Sequence, residues 1–383
     1  MATIAIIGGG IVGMTLAASL QQASHQILLV DATDTTGIDP RLIALNHQSI
    51  ALLERIGVWS ELVAHAAPIN TVHVSHRGNF GMMRLTAQQL GLNFLGYVIP
   101  ATKIIAALSS HLASKPQIQW LRAAKLTQIN NTIAPINFII EQSGITKNFS
   151  AEILIAADGT FSTVRQLLAL TSHEHDYDQK ALVTITDLKR SHQNIAYERF
   201  HQTGAIAMLP LPGLKAATIW TDNTIRIDEL MQLPEKYFVA ELQKVFGYRL
   251  GRFCAISERY VYPLKMLRTE QAIHNNIILI GNAAHTLHPI AAQGLNIALA
   301  ETAFLSEYFA TQPDLVMTPK MSQEFMAIAN HGVELSHQLS SLFTNDFFVV
   351  SALRKLGLVG LDLLPSLKKR FAKIAITAPK QIN

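Results

Sequence analysis

A chain of 383 residues with 49% hydrophobic and 15% charged content carries enough apolar surface for a large core, which excludes a disordered chain and suggests two domains with one shared core or two adjoining ones. A formal net charge of +4 is modest at this length and implies no nucleic-acid partner without a clustered basic face. The single cysteine, Cys254, excludes an intramolecular disulfide and a cysteine-based metal cluster, fits a reducing compartment and is expected as a core thiol, while the 15 histidines form no H-x-x-x-H or H-E-x-x-H pattern for a metal.

The first stretch, Ile4-Ala5-Ile6-Ile7-Gly8-Gly9-Gly10-Ile11-Val12-Gly13, reads as an apolar strand running through a glycine turn into a small-residue helix over about 14–22. Gly8 permits the tight turn, Gly10 lets the backbone approach a pyrophosphate, and Gly13 allows close helix-to-sheet packing, with the anion on the helix N-terminus. A second apolar strand over 27–30 ends at Asp31, eighteen residues past Gly13, placed to accept ribose hydroxyls. Strand, helix, strand and acid together predict a dinucleotide site, of a kind that FAD and NAD share. Residues 2–30 contain no Lys, Arg, Asp or Glu, but three consecutive glycines make a poor spanning helix and nothing basic precedes Ile4. The N-terminus is therefore expected to be mature and cytoplasmic.

A polar loop over 33–39 leads to Pro40-Arg41, expected to open a helix carrying Leu42, Leu45, Leu52, Leu53 and Ile56. Arg41 is either a solvated helix-start residue or a partner for phosphate or flavin oxygens. Alternation at Thr71-Val72-His73-Val74-Ser75, followed by Arg77-Gly78-Asn79, predicts a hairpin to about Leu85, where a sheet-based second domain begins. A helix over 101–113 follows Pro100, and strands separated by Asn-rich turns occupy 118–140. The run 153–157 is a buried parallel strand ending in Asp158-Gly159, with a helix beyond capped at or near Ser162. Ligands sit at such strand ends, although an ordinary Asp-Gly turn reads the same way.

Alternating stretches at 182–188, 195–201, 205–211, 216–221 and 259–262 predict a mostly antiparallel sheet with one covered face, interrupted by a helix over 235–245. Phe200, Met208 and Trp220 either line a hydrophobic cavity or fill the core. The third signal is a buried strand over 277–280 that ends in Gly281-Asn282, a loop with Pro289, and a long Ala/Leu helix opened by Gly294, Leu295 and Asn296. The exposed N–H groups of that helix start could face a polar ring or phosphate. His285 and His288 are candidates for acid/base work or for packing and hydrogen bonding. Between 343 and 376, Arg354, Lys355, Lys368, Lys369, Arg370 and Lys373 face only Asp346 and Asp362, so basic amphipathic helices there are expected to touch a membrane surface or to pack on the first domain.

Gly8-x-Gly10-x-x-Gly13, Asp158-Gly159 and the run from Gly281-Asn282 to Asn296 together resemble the flavoprotein aromatic hydroxylases of the para-hydroxybenzoate hydroxylase fold, over essentially the whole chain. Thr71-Val72-His73-Val74-Ser75, Glu198-Arg199-Phe200, Ala207-Met208-Leu209-Pro210, Phe246-Gly247-Tyr248-Arg249-Leu250-Gly251 and Gly281-Asn282-Ala283-Ala284 narrow the resemblance to the ubiquinone-biosynthesis hydroxylases that act on 2-octaprenyl-6-methoxyphenol. The resemblance implies an α/β fold: a Rossmann-like FAD-binding domain over 1–70, 98–178 and 269–383, an inserted mostly antiparallel substrate domain over 71–97 and 179–268, and C-terminal helices from about 343. It implies bound FAD and NAD(P)H as co-substrate, with Asp31 on the adenosine ribose, Arg41 near the cofactor and Asp158 and Gly159 in the shared FAD and NAD(P)H motif. Asn282 would meet the ribityl chain, and Pro289 with Gly294, Leu295 and Asn296 would lie against the flavin.

Such an enzyme needs no metal or triad, since reduced flavin and O2 give a C4a-hydroperoxide that passes OH to an electron-rich ring. The chain departs from the wider family at Asn282, where Asp is usual although the ubiquinone branch commonly has Asn, and at Ala292, where Gly is usual. The implied partners are a polyprenylated phenol, O2, a membrane surface at its inner face and other ubiquinone-biosynthesis proteins. Two alternatives remain at this point: a flavin-dependent reductase on the same fold, separated by substrate-coupled oxygen consumption, and a non-catalytic flavin- or lipid-binding subunit, separated by rapid NAD(P)H-dependent flavin reduction.

Overall fold

The computed structural model describes residues 3–21, 25–34, 39–78, 82–287, 293–312 and 314–330. His288, Pro289, Ala292 and the basic residues of 343–376 lie outside the described residues. The first apolar stretch becomes Thr3–Ile7, an inner strand of a six-stranded sheet. From one edge the order is Ile273–His274, Ile277–Leu279, Ile153–Ala156, Thr3–Ile7, Gln26–Val30 and Ile118–Leu121. All pairings but the first are parallel. The inner strands read as unbroken apolar runs because both faces are covered, and Ile4, Ile6, Leu154, Ile155 and Ile278 are fully buried. The Ile11–Leu20 helix packs beside the Ala101–Ala113 and Gln293–Ala310 helices.

A nine-stranded sheet forms the other half of the molecule. Its central strands are Ser172–Leu188, Lys215–Asn223, Gly204–Leu211 and Ile195–His201. Every pairing is antiparallel except that of Ile195–His201 with Thr71–His76, whose Met82–Thr86 partner closes the expected hairpin. One face lies under the Thr224–Gln232 and Glu235–Phe246 helices, over a core that includes Leu182, Met208, Trp220, Phe238 and Phe246. Met208 and Trp220 are therefore core, and Phe200, on the opposite face, is buried too. Part of that opposite face, with Ala196, Leu209 and Ala217, packs on a three-stranded sheet of Leu42–Leu45, Gly96–Pro100 and Ala67–Ile69.

Three expectations are corrected. Pro40-Arg41 does not open a helix: Leu42–Leu45 is a strand paired with Gly96–Pro100, and the helix begins at His47, where the Asn46 side chain accepts the Ser49 N–H as N-cap. Cys254 is exposed, because the short Phe253–Ile256 strand turns Phe253 inward and its neighbour outward. The long Ser172–Leu188 strand begins ten residues before the apolar alternation and is bent by a register shift between Asp176 and Gln179.

Candidate functional site

The glycine turn is built by contacts that a side chain would forbid. Gly8 has φ +113°, and a Cβ there would run into the Ala157 carbonyl; a Cβ on Gly13 would run into the Gly8 carbonyl. A Cβ on Gly9 would overlap the Asp31 carboxylate, whereas at Gly10 nothing stands within 4 Å. Gly10 therefore opens onto empty space above the N-terminus of the ten-residue Ile11–Leu20 helix, as a cradle for an anion requires. Gly9 is a constraint that the spacing argument passed over, because its reason is the distant Asp31.

That space is a pocket of about 460 Å3 lined by Gly9, Gly10 and Met14, by Asp31, Thr33 and Asp34, by Asp39, Pro40 and Arg41, by Ile105 and Ser109, and by Trp120, Arg122 and Tyr262. It has the size of a small-molecule site. Asp31 Oδ1 accepts the Thr33 N–H and hydroxyl, each at 3.0 Å. Arg41 reaches the same pocket but is held by Asp39, its Nε 2.8 Å from Oδ1 and its Nη2 2.6 Å from Oδ2, and this bond raises its pKa further. In the same pocket the Arg122 guanidinium lies 3.9 Å over the Trp120 ring, a cation–π pair that neither composition nor motif revealed.

The second motif sits against the first, since the Gly8 turn meets the backbone of Ala157 and Asp158. Asp158 Oδ2 accepts the Val164 N–H at 3.2 Å, while its buried Oδ1 has no partner, the mark of a carboxylate waiting for a ligand. Gly159, at φ +82°, turns the chain toward the short helix that Ser162 caps. Arg165, buried, donates to the Thr160 carbonyl at 2.6 Å and to the Ala283 carbonyl at 2.8 Å, tying the second motif to the third. Its role emerges only from the fold, since Ala283 is 118 positions away.

The third motif closes the ring of contacts. A Cβ on Gly281 would lie 3.2 Å from that of Ala298 and 3.5 Å from Val12 Cγ2, so Val12 packs the first helix onto this turn. Asn282 Nδ2 is 3.4 Å from the Thr160 hydroxyl. Beneath it, fully buried Glu301 accepts the Gly281 N–H at 2.9 Å and pairs with His285 Nε2 at 2.6 Å. Burial disfavours the His285 cation, but the Glu301 charge and hydrogen bond win and raise its pKa. His285 is thus engaged under the turn. Gly294, Leu295 and Asn296 lie in the first turn of Gln293–Ala310. The Asn296 side chain is spent on the scaffold: its oxygen accepts Asn46 N–H and Ser49 Oγ–H, and its Nδ2 donates to the Ala44 carbonyl.

Of the sequence-predicted residues, Gly10, Asp31 and Arg41 line this pocket, while Asp158, Gly159, Gly281 and Asn282 belong to turns that contact the first glycine turn and each other, and Asn296 is held by the scaffold. The open cradle at Gly10, the unpartnered Asp158 oxygen and the planar Trp120 wall fit a dinucleotide such as FAD.

Comparison with known proteins agrees. The family described as FAD binding domain matches residues 1–312. The chain is 28% identical to ubiquinone hydroxylase UbiL of Rhodospirillum rubrum, over 98% of this chain and 90% of that one. It is 26% identical to 3-demethoxyubiquinol 3-hydroxylase of Escherichia coli, over 97% and 98%. Among solved structures, p-nitrophenol 4-monooxygenase PnpA of Pseudomonas putida superposes over 100% of both chains with a TM-score of 0.81 at 15% identity, a likeness of fold. With the family model spanning all three motifs, the chain belongs to the FAD-binding monooxygenases and is an FAD-dependent enzyme that takes NAD(P)H as co-substrate.

Proposed function

We propose that this enzyme hydroxylates the ring of a polyprenylated phenol, of the 2-octaprenyl-6-methoxyphenol kind, in ubiquinone biosynthesis. The observation that carries the reading is the inner face of the large sheet. Val72, Val74, Ile185, Leu209 and Ile219 share it, all apolar and half-buried, with Val72, Ile185, Leu209 and Ile219 packed at the edge of the core it forms with the three-stranded sheet, and across the sheet Tyr262 of the same face lines the pocket at Gly10. A long isoprenoid tail gains roughly 0.8 kcal/mol per buried CH2 on such a wall, more than the few polar groups of a methoxyphenol ring supply. The names of the two relatives above, spanning nearly the whole chain, support a quinone precursor as the substrate class.

In this reading residues 71–97 and 179–268 bind the substrate, and 1–70, 98–178 and 269–383 bind FAD. Asp31 takes the adenosine ribose, and the N–H groups that follow Gly10 take the pyrophosphate. Asp158 and Asn282 serve the ribityl side, and Pro289 with the Gly294 to Asn296 turn borders the flavin. Arg41 must loosen from Asp39 to reach a phosphate oxygen. Once reduced by NAD(P)H, bound FAD supplies the activated oxygen for an electron-rich ring. The work left to the chain is to orient the phenol and exclude water from the cleft.

A prenylated substrate resides in lipid, so contact with a membrane surface belongs to the same proposal; among the described residues no helix is long and apolar enough to cross a bilayer. The test is mass spectrometry of quinone precursors in a strain lacking this chain. Accumulation of a prenylated phenol one hydroxyl short is expected, and unchanged quinone with no such precursor contradicts the reading.

A further inference from the structure

One carboxylate interrupts the apolar inner face. Register places Glu198 of Ile195–His201 between Val74 of Thr71–His76 and Ala207 of Gly204–Leu211, with Met83 beyond the one and Ile219 beyond the other. The basic residues nearby turn away: Arg84 pairs across from His73, and Arg199 across from Ser75, on the opposite face, where Arg249 donates to the Ser75 hydroxyl at 3.0 Å. Other titratable groups on the inner face are His76 on the adjacent strand, Lys215 and Asp187, which pair with each other at 3.9 Å, and Tyr260 and Tyr262 across the sheet. Among the described residues the Glu198 carboxylate has no hydrogen bond or ion pair, and burial alone pushes it up to about 7.

Glu198 is enclosed by protein and yet keeps part of its surface accessible. An apolar core would exclude such a group unless something polar met it there.

We propose that Glu198 is the catalytic base of the hydroxylation, accepting the phenolic proton of the substrate. The substrate O–H bond breaks, its proton moves to the Glu198 carboxylate, and the electron pair stays on the phenol oxygen, which enriches the ring that is to be hydroxylated. The product phenol recovers the proton, so nothing is oxidised or reduced in this step. The proposal rests on the phenol reading above and adds the group that activates the ring.

The test compares the FAD-loaded wild type with Glu198→Gln, using a prenylated 6-methoxyphenol. In the wild type kcat/KM rises with pH through about 7. In Glu198→Gln hydroxylation falls by about 100-fold and this limb disappears, while FAD content and NAD(P)H-driven flavin reduction persist. Difference absorbance shows the bound phenol ionised at pH 8 in the wild type and neutral in the variant. Equal hydroxylation rates, or equal ionisation of bound phenol, overturn the proposal. If the wild type hydroxylates only an unprenylated phenol, the prenyl reading fails and the same pair of proteins tests Glu198 on that phenol. If it hydroxylates neither, infrared difference spectra of the substrate-free proteins decide: a protonated carboxyl band that is lost between pH 6 and pH 8 is required in the wild type alone, and its absence overturns the proposal.

Discussion

At Gly9 a single methyl sets the glycine turn against the acid that ends the second strand, because an added Cβ would overlap the Asp31 carboxylate. Gly9→Ala should therefore displace Asp31 and lower FAD affinity by about tenfold or more, a loss of about 1.4 kcal/mol or greater. Asp31→Ala should weaken FAD similarly, and the ratio of flavin to protein absorbance after gel filtration reads both. Full FAD content in either would place the adenosine elsewhere. Glu198 makes a prediction about stability. Its carboxyl rises from 4.5 to about 7 on folding, so the folded state holds the proton more tightly. That contribution is complete below 4.5 and is lost as pH rises through 7, beyond which the buried charge costs on the order of 3 kcal/mol. Glu198→Gln should thus raise Tm relative to wild type at pH 8, with the gap closing near pH 4.5. A gap that does not change with pH would mean that the carboxyl is not perturbed.

The Gly281–Ala283 turn depends on charges buried beneath it. Glu301→Leu would strand both the Gly281 N–H and His285, and removing one partner of a buried pair costs about 3–5 kcal/mol, readable by urea denaturation. Because the His285 pKa is raised, the contribution of the pair is complete below the ordinary histidine value of 6.5 and is lost as pH climbs through the higher folded value. The cost of the substitution should shrink in alkali, and a constant cost would mean that the pair is not ionic.

Elements that carry their own signal were legible in the sequence. The Ala101–Ala113 helix was readable to its ends from Pro100 and its apolar spacing, and Ile153–Ala156 from an unbroken apolar run. Leu42 and Leu45 misled because their spacing suits a helix, and the decisive mark was Asn46, which caps the real one. The Thr224–Gln232 helix, capped by Asn223, was missed among strands. Residues 172–181 are too polar to alternate, so the start of the longest strand was invisible. The partners of Arg165 and Glu301 come from distant turns, and the apolar neighbours of Glu198 from other strands, so only the fold brings them into view.

Across the whole molecule, three motifs spread over nearly 300 positions meet because the Gly8 turn rests on Ala157 and Val12 rests against Gly281. The large sheet turns one face to its own helices and leaves the other partly open, with Tyr262 joining that face to the dinucleotide pocket. If this face takes an isoprenoid tail, kcat/KM should climb with tail length before levelling, since each buried CH2 adds roughly 0.8 kcal/mol. A flat series would confine recognition to the ring. The central claim is hydroxylation of a prenylated phenol, and labelled O2 reads it most directly. The FAD-loaded enzyme is incubated with NAD(P)H, labelled O2 and matched prenylated and unprenylated 6-methoxyphenols, and the products are weighed by mass spectrometry. One labelled oxygen should enter the prenylated ring, while the unprenylated phenol chiefly wastes NAD(P)H as peroxide; label in neither, with a soluble aromatic acid efficiently hydroxylated instead, would contradict the account.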